Sequence, residues 1–375
     1  MTDVPRHALQ IRSLVTEGGE AELSLVEVEV PNPGPNQVLI RVEAAPINPS
    51  DMGLLFGGAD PATFSATGSR DRPGVSASLP PAAVRANAAR LGQSLPTGNE
   101  GAGTVVAAGP GAEDMVGRVV AAAGGGMYSQ YCVADAGFCL ALPDGVSAAE
   151  GSASFVNPMT VLGMIETMRS EGHSAIIHTA AASNLGQMLQ KACLGEDIGL
   201  VNIVRSPAQV AILRDLGAEH VCDSSADGFM GDLVAAVQAT GATIGFDAIG
   251  GGSMASRMLT AMESAAAAGA AFSRYGSNTF KQVYIYGGLD RGPTELTRSF
   301  GFSWSLGGWL LTPFLMKAGG AKVASMREQV AAGIKTTFAS RFTDRVSLAG
   351  ALDPAAIAVY GRQATGQKYL IEPQN

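Results

Sequence analysis

The stretch Ser174–Gly195, SAIIHTAAASNLGQMLQKACLG, opens with a short apolar run, Ser174 to Ile177, and closes in a helical pattern. Leu185, Leu189, Ala192 and Cys193 fall on one face of that helix. Between strand and helix lies HTAAASNLGQ, His178 to Gln187. A parallel strand that turns into a helix exposes main-chain N–H groups at the helix start, and the helix dipole reinforces them. Such a corner suits a pyrophosphate. The glycines of the usual dinucleotide fingerprint are mostly missing: Ser183 and Asn184 hold its middle, and only Gly186 keeps the close helix–sheet approach. Asn tolerates left-handed backbone angles, and both side chains can donate to phosphate oxygens. Taken by itself the loop fits a cofactor turn or a plain strand-to-helix turn, and both stay open.

Downstream the chain alternates. GLVNIVR (199–205) reads as a strand, SPAQVAILRDLGA (206–218) as a helix, HVCDS (220–224) as a strand, GDLVAAVQATG (231–241) as a helix and TIGFDAIG (243–250) as a strand. Strand and helix at this spacing give βαβ units and a parallel sheet. Upstream, AAEGSASFVNPMTVLGMIETM (148–168) is helical, with a break at Asn157-Pro158 that starts a second helix. About twenty residues past the loop, an NAD-preferring site places Asp or Glu on the ribose hydroxyl. This chain has Arg205 and Ser206 there. A guanidinium beside a hydroxyl suits a 2′-phosphate, which favours NADPH over NADH. The bland reading of Arg205 is a solvated loop cation.

Before residue 148 the period is two. SLVEVEV (24–30) alternates, the turn Asn32–Asn36 follows, and QVLIRVEAAPIN (37–48), GTVVAAG (103–109), GRVVAAAG (117–124) and YSQYCVAD (128–135) are short strands bounded by turn residues. That succession predicts a small barrel. FTDRVSL (342–348) and QKYLIEP (367–373) are strands again and are expected to rejoin it. Two segments fit neither pattern: 57–98, polar and proline-containing with room for one helix, and 265–282, an alanine run with a polar tip. Long loops of this kind are lids or tolerated insertions.

Length and composition agree with two domains. The chain has 375 residues, 46% hydrophobic and 15% charged, which is globular rather than disordered. With a net charge of −8 and no basic stripe, nucleic acid is not an expected partner. Cys132, Cys139, Cys193 and Cys222 lack metal-ligand spacing and read as buried thiols. The N-terminal MTDVPRHALQ has no apolar signal region, and no run has the length to span a bilayer, so a cytoplasmic chain without a membrane partner is expected.

Several stretches together resemble the zinc-independent quinone oxidoreductase and enoyl-thioester reductase branch of the medium-chain dehydrogenase/reductase superfamily. They are AAPINPSD (44–51), GNEGAGTVVAAG (98–109), YSQYCV (128–133), NPMT (157–160), HTAAASNLGQ, LGAEHV (216–221) and YGGL (286–289), in family order. The resemblance implies an α/β chain: a doubly wound Rossmann sheet at 157–312, and a GroES-like (chaperonin-10-type) β-barrel formed by 1–156 and 313–375. It reads the glycine-poor loop as a working cofactor turn. By the same resemblance Asn157 and Thr160 approach the nicotinamide, Ser183, Asn184, Leu185 and Gly186 the pyrophosphate, and Arg205 and Ser206 the 2′-phosphate. Ile249 and Gly250 follow the fourth strand, Tyr286, Gly287, Gly288 and Leu289 close over the cofactor, and Lys368 matches the lysine of a terminal Gly-Lys pair whose glycine is here Gln367. A homodimer is also implied.

Zinc-dependent relatives place Cys where this chain has Asn48, and His where it has Asn99 beside Glu100. Asn is a poor zinc ligand, so no metal is expected. Without a Lewis acid the substrate must be electron-poor by itself, a quinone or an enone. The protein then supplies orientation and hydrogen bonds to the oxygen that gains charge. Asn48 is the first candidate for that donor; the alternative is a barrel residue bonded to backbone. Enoyl reductases of the branch place a tyrosine where this chain has Ala59. Tyr128 is the candidate substitute, with packing as its other reading. The expected function is thus NADPH-dependent reduction of a quinone or enone. Enoyl-thioester reduction is the alternative within the enzyme class, and an NADPH-binding structural or sensory protein the alternative outside it.

Overall fold

The strand Ala175–His178 is apolar throughout because both its faces are covered: all four residues are buried. In the computed structural model, which describes residues 4–375, it lies inside a six-stranded sheet. The strand order is His220–Asp223, Gly199–Val204, Ala175–His178, Ile244–Asp247, Lys281–Ile285 and Trp304–Gly308, and every neighbouring pair is parallel. The chain builds outward from Ala175–His178 in one direction and then returns to its other side with Ile244–Asp247. That reversal is the topological switch point, the place in doubly wound sheets where ligands meet the carboxyl ends of the strands.

Helices Asn184–Gly195, Pro207–Asp215, Phe229–Thr240 and Met254–Ala267 connect the strands. Ile177, Val201, Ile203, Leu233, Met258, Leu259 and Val283 belong to the core under Phe229–Thr240 and Met254–Ala267. Ser183 and Ser206 cap the first two, their hydroxyls accepting from the N–H of Gly186 and Gln209. The break at Asn157-Pro158 is a helix start, since Val156–Ser170 runs unbroken from there. This unit comprises Asn157–Met326, and its second boundary falls inside the helix Gly320–Gly333.

The other unit joins the chain before Asn157 to Arg327–Asn375. It holds two largely antiparallel sheets. In the larger, Cys139–Ala141, Val119–Ala123, Glu100–Ala108, Gln37–Pro46, Tyr369–Ile371 and Asp344–Val346 lie in that order, with Tyr131–Asp135 also paired to Gln37–Pro46. The returning strand pairs Leu370 with Pro46 and Ile371 with Ala45, so the C-terminal segment does rejoin the barrel. Along Glu20–Glu29 the inward set Ala21, Leu23 and Leu25 alternates with exposed or half-exposed polar residues.

The segment 57–98 departs from its expected form. Ser65–Gly68 and Pro73–Ser78 make an antiparallel hairpin that adds two strands to Glu20–Glu29, followed by the short helix Pro81–Ala86. The alanine run is no insertion at its start: it completes the helix Met254–Ala267. The polar tip that follows is tied to that helix by Lys281, whose Nζ is buried 2.6 Å from Glu263, with Ser277 on the same carboxylate. Among the described residues no helix is long and apolar enough to cross a membrane.

Candidate functional site

At the switch point two turns leave the sheet side by side. After Ala175–His178 the chain passes Ala180 at φ +50 and enters the helix at Asn184. Gly186 faces the loop so closely that a Cβ there would lie 2.2 Å from the Ala181 carbonyl oxygen. Only glycine fits, which is the close helix–strand contact the sequence pattern requires. After Ile244–Asp247 the chain turns through Gly250 at φ +83, where a Cβ would sit 2.8 Å from the Gly287 carbonyl oxygen. The two turns are stitched together by Asp247, fully buried, whose carboxylate accepts from Thr179 Oγ1 (2.8 Å) and from the N–H of Ile249 (2.9 Å) and Gly250 (3.3 Å).

His178 ends its strand fully buried, with Nε2 2.7 Å from the Tyr286 hydroxyl and the two rings stacked. Burial holds the imidazole neutral, its pKa pushed down to about 3, and pushes the Tyr286 phenol up, with Asp247 adding to the rise. Tyr286, Gly287 and Gly288, with Trp309, Leu310 and Pro313, line a cavity of about 510 Å³. Asn157 and Thr160 are buried on Val156–Ser170, the helix that also holds Trp309: the indole N–H donates to Thr167 Oγ1 at 3.0 Å. Arg205 is exposed and Ser206 half-buried at the start of Pro207–Asp215, while Leu289 is exposed.

The other unit contains a polar cluster walled by apolar residues. Glu100 is fully buried. Its Oε1 accepts from Asn48 Nδ2 (2.7 Å), and its Oε2 accepts from the N–H of Phe155 (3.0 Å) and Val156 (2.8 Å). Asp51, also buried, accepts from the N–H of Asn48 (2.8 Å) and of Asn99 (2.9 Å). Burial raises both carboxyls, Asp51 to about 6, because hydrogen bonds to the ionised forms only partly offset desolvation. Tyr128 faces Asp51; its ring is buried in the core and its hydroxyl donates to the Pro46 carbonyl at 3.1 Å. The Asn99 amide donates to Ser50 Oγ. Lys368 stands in this unit with its Nζ enclosed and the carboxylates of Glu100 and Asp51 acting on it. Asn48, Tyr128 and Lys368 thus share one cluster; Ser183–Gly186, Ile249 and Gly250 lie on the two switch-point turns, Tyr286–Leu289 follow Lys281–Ile285, Arg205 and Ser206 follow Gly199–Val204, and Asn157 and Thr160 lie on the helix Val156–Ser170. Asp51, Asp247 and the His178–Tyr286 pair were not singled out from the sequence for these roles. Asp247 had a readable signal, an acid ending a strand just before a glycine turn.

Residues 34–144 match the alcohol dehydrogenase GroES-like domain. A solved structure from Mesorhizobium loti, titled a "putative NADPH:quinone reductase", is 27% identical, with a TM-score of 0.75 over 100% of both chains. A quinone-oxidoreductase homolog of Spinacia oleracea is 30% identical over 58% of this chain and 60% of its own length. The mitochondrial enoyl-[acyl-carrier-protein] reductase of Xenopus tropicalis is 31% identical over 58% of this chain and 57% of its own. The chain is thus similar along its whole length to a structure described as a quinone reductase, and over 58% of its length to relatives named quinone oxidoreductase and enoyl reductase, the branch of the medium-chain dehydrogenase/reductase superfamily that its sequence resembles. It spans less than two thirds of the length of these two curated relatives. In this chain Asn48 is bonded to Glu100, and Ala59 is buried.

Proposed function

We propose that this chain is an NADPH-dependent oxidoreductase that delivers a hydride to a quinone or another electron-poor carbonyl acceptor without a metal. The observation that carries the cofactor half is the switch point itself. Two turns with no space for a Cβ at Gly186 or Gly250 bring main chain close to the carboxyl ends of the strands, where a nucleotide's diphosphate could approach equally closely. NADPH would be held by the first turn from Ser183 through Asn184 and Leu185 to Gly186, by Arg205 and Ser206 at its 2′-phosphate, and by Asn157, Thr160, Ile249, Gly250 and Tyr286–Leu289 around its nicotinamide end. When bound it supplies the hydride. Neutral His178 holds the Tyr286 ring as a wall of the cavity.

The acceptor half rests on the donor set. Asn48 directs an N–H, not a lone pair, at Glu100, and Asn99 directs its amide at Ser50. Neither arrangement offers a good zinc ligand. An acceptor that needs no Lewis acid follows, with Asn48 beside its oxygen. The name of the Xenopus relative carries the second reading, reduction of an enoyl thioester, but Ala59 supplies no acid. We further assign the protein to the cytoplasm, as a homodimer built on the open sheet edge Trp304–Gly308, near which Phe302 is 80% exposed. Sedimentation velocity tests the dimer.

The activity is tested by following NADPH oxidation with 1,4-benzoquinone, 9,10-phenanthrenequinone, 2-cyclohexen-1-one and a crotonyl thioester. Faster turnover of the quinones or the enone than of the thioester is expected. Faster thioester reduction moves the assignment to the second reading. Tight NADPH binding with no turnover of any acceptor makes the chain a binding protein.

A further inference from the structure

Two buried polar atoms beside Glu100 have no hydrogen-bond partner: Oδ1 of Asn48 and Nζ of Lys368. They are complementary, since the amide oxygen needs a donor and the ammonium needs an acceptor. Strand register puts their residues next to each other. Leu370 pairs with Pro46 and Ile371 with Ala45, the Ile47 N–H donates to the Tyr369 carbonyl at 3.0 Å, and the same register carried two residues further sets Lys368 opposite Asn48. Yet the two atoms do not bond each other. A buried polar group left unmatched is costly, so an unmatched acceptor and an unmatched donor beside one carboxylate leave two hydrogen bonds for a third group to make. The group that satisfies both is an oxygen that accepts from the ammonium and, once protonated, donates to the amide.

We propose that Lys368 is the catalytic acid of this chain: its ammonium holds the acceptor's carbonyl oxygen and protonates it, and Asn48 Oδ1 accepts the hydrogen bond of the hydroxyl so formed. This rests on the reductase reading above. As the hydride forms a C–H bond on the acceptor, the displaced π electron pair moves onto the oxygen. The Nζ–H bond of Lys368 then breaks as an O–H bond forms, leaving a neutral amine that regains its proton from solvent. A quinone attacked at carbon then loses a proton from that carbon to solvent as its second oxygen takes one, and so ends as the hydroquinone; an enone ends as the enol, which tautomerises to the saturated ketone. The enzyme needs no tyrosine at Ala59 for this.

The surroundings suit the task. Burial lowers the Lys368 ammonium from 10.5 to about 8, while Glu100, on Glu100–Ala108, and Asp51, in the turn Pro49–Asp51, oppose the fall and keep it charged at neutral pH. The Phe342 ring, 5.6 Å from Nζ, covers it, and the Tyr128 hydroxyl, facing Asp51, is uncharged in this range. The result is a stronger acid than a surface lysine that is still loaded at pH 7. The resemblance assigns Lys368 to the cofactor instead, and the two roles predict different losses.

The test compares wild type with Lys368→Met and Lys368→Arg, measuring NADPH affinity by fluorescence and kcat and kcat/KM on 2-cyclohexen-1-one from pH 6 to 10. Expected are an NADPH Kd within about threefold of wild type, a kcat on the enone about 100-fold lower in Lys368→Met, and a wild-type rate that declines above about pH 8. In Lys368→Arg that alkaline decline moves out of range. With 1,4-benzoquinone the loss is smaller, because its reduced form takes protons from water. A wild-type profile flat to pH 10 overturns the proposal even if the variants misfold. So does a Lys368→Met enzyme that keeps kcat but binds NADPH tenfold or more weakly, which makes Lys368 a cofactor contact. Failure of wild type to bind NADPH at all sinks the reductase reading itself.

Discussion

Nε2 of His178 lies 2.7 Å from the hydroxyl of Tyr286, joining the end of the strand Ala175–His178 to the turn after Lys281–Ile285 across the intervening strand Ile244–Asp247. Nδ1 of the same ring is buried without a partner, and the imidazole's pKa is pushed down to about 3. The folded state therefore refuses a proton that the unfolded chain accepts below its ordinary value of 6.5. Stability tied to His178 is complete above that value and is lost as pH falls from there towards 3. His178→Gln removes the titration. Between pH 6 and 4 the variant should gain on wild type by about 1.4 kcal/mol per pH unit in urea unfolding. Parallel pH curves for the two proteins would show that His178 is not the neutral, buried group described.

Glu100 is the acceptor for Asn48 Nδ2 and for two main-chain N–H groups at the start of Val156–Ser170. Glu100→Ala takes that acceptor from three donors and should cost about 3 kcal/mol or more. Glu100→Gln, which keeps the volume but turns a donor towards a donor, should cost less. The midpoint of urea unfolding decides; an unchanged midpoint for Glu100→Ala means the cluster contributes nothing to the fold.

How much of this was readable beforehand depends on whether the signal is local. The alternation from Ala175 to Asp247 was legible because the inner strands Ala175–His178 and Ile244–Asp247 are buried on both faces and the helix Asn184–Gly195 has its apolar stripe. The hairpin in 57–98 was hidden because Ser65–Gly68 is exposed along its whole length and Pro73–Ser78 is built from small residues. Neither shows a hydrophobic period, and their pairing with Glu20–Glu29 is long-range. The alanine run looked like low complexity because alanine contrasts little with either face of a helix. At the site, Gly186 could be read as a close approach, since a missing Cβ is a local property. The Asn48–Glu100 bond and the placement of Lys368 opposite Asn48 could not, because residues 48, 100 and 368 meet only through sheet register.

Gly186→Ala would push a methyl group to within 2.2 Å of the Ala181 carbonyl oxygen, an atom of main chain that cannot swing aside. The loop must shift, at a cost of about 1–3 kcal/mol. NADPH affinity should drop at least tenfold with it. A Gly186→Ala protein with wild-type NADPH affinity would remove this turn from the cofactor site.

All four cysteines are free and buried. Burial pushes the Cys132 and Cys193 thiols up to about 12, and the Cys139 and Cys222 thiols up to about 11. Since the thiolate is the reactive form, native protein at pH 8 should react slowly with a thiol reagent, and all four should react at once in urea. One rapidly modified cysteine in the native protein would contradict the packing around it.

The most direct measurement is calorimetric titration of wild type and Arg205→Ala with NADPH and with NADH. If the diphosphate docks at Ser183–Gly186 and the 2′-phosphate meets Arg205 and Ser206, wild type binds NADPH at least tenfold more tightly than NADH. Loss of one charge-assisted contact should then bring the two nucleotides level in Arg205→Ala. Heat from neither nucleotide with folded wild-type protein, or equal affinity for both, would contradict the account.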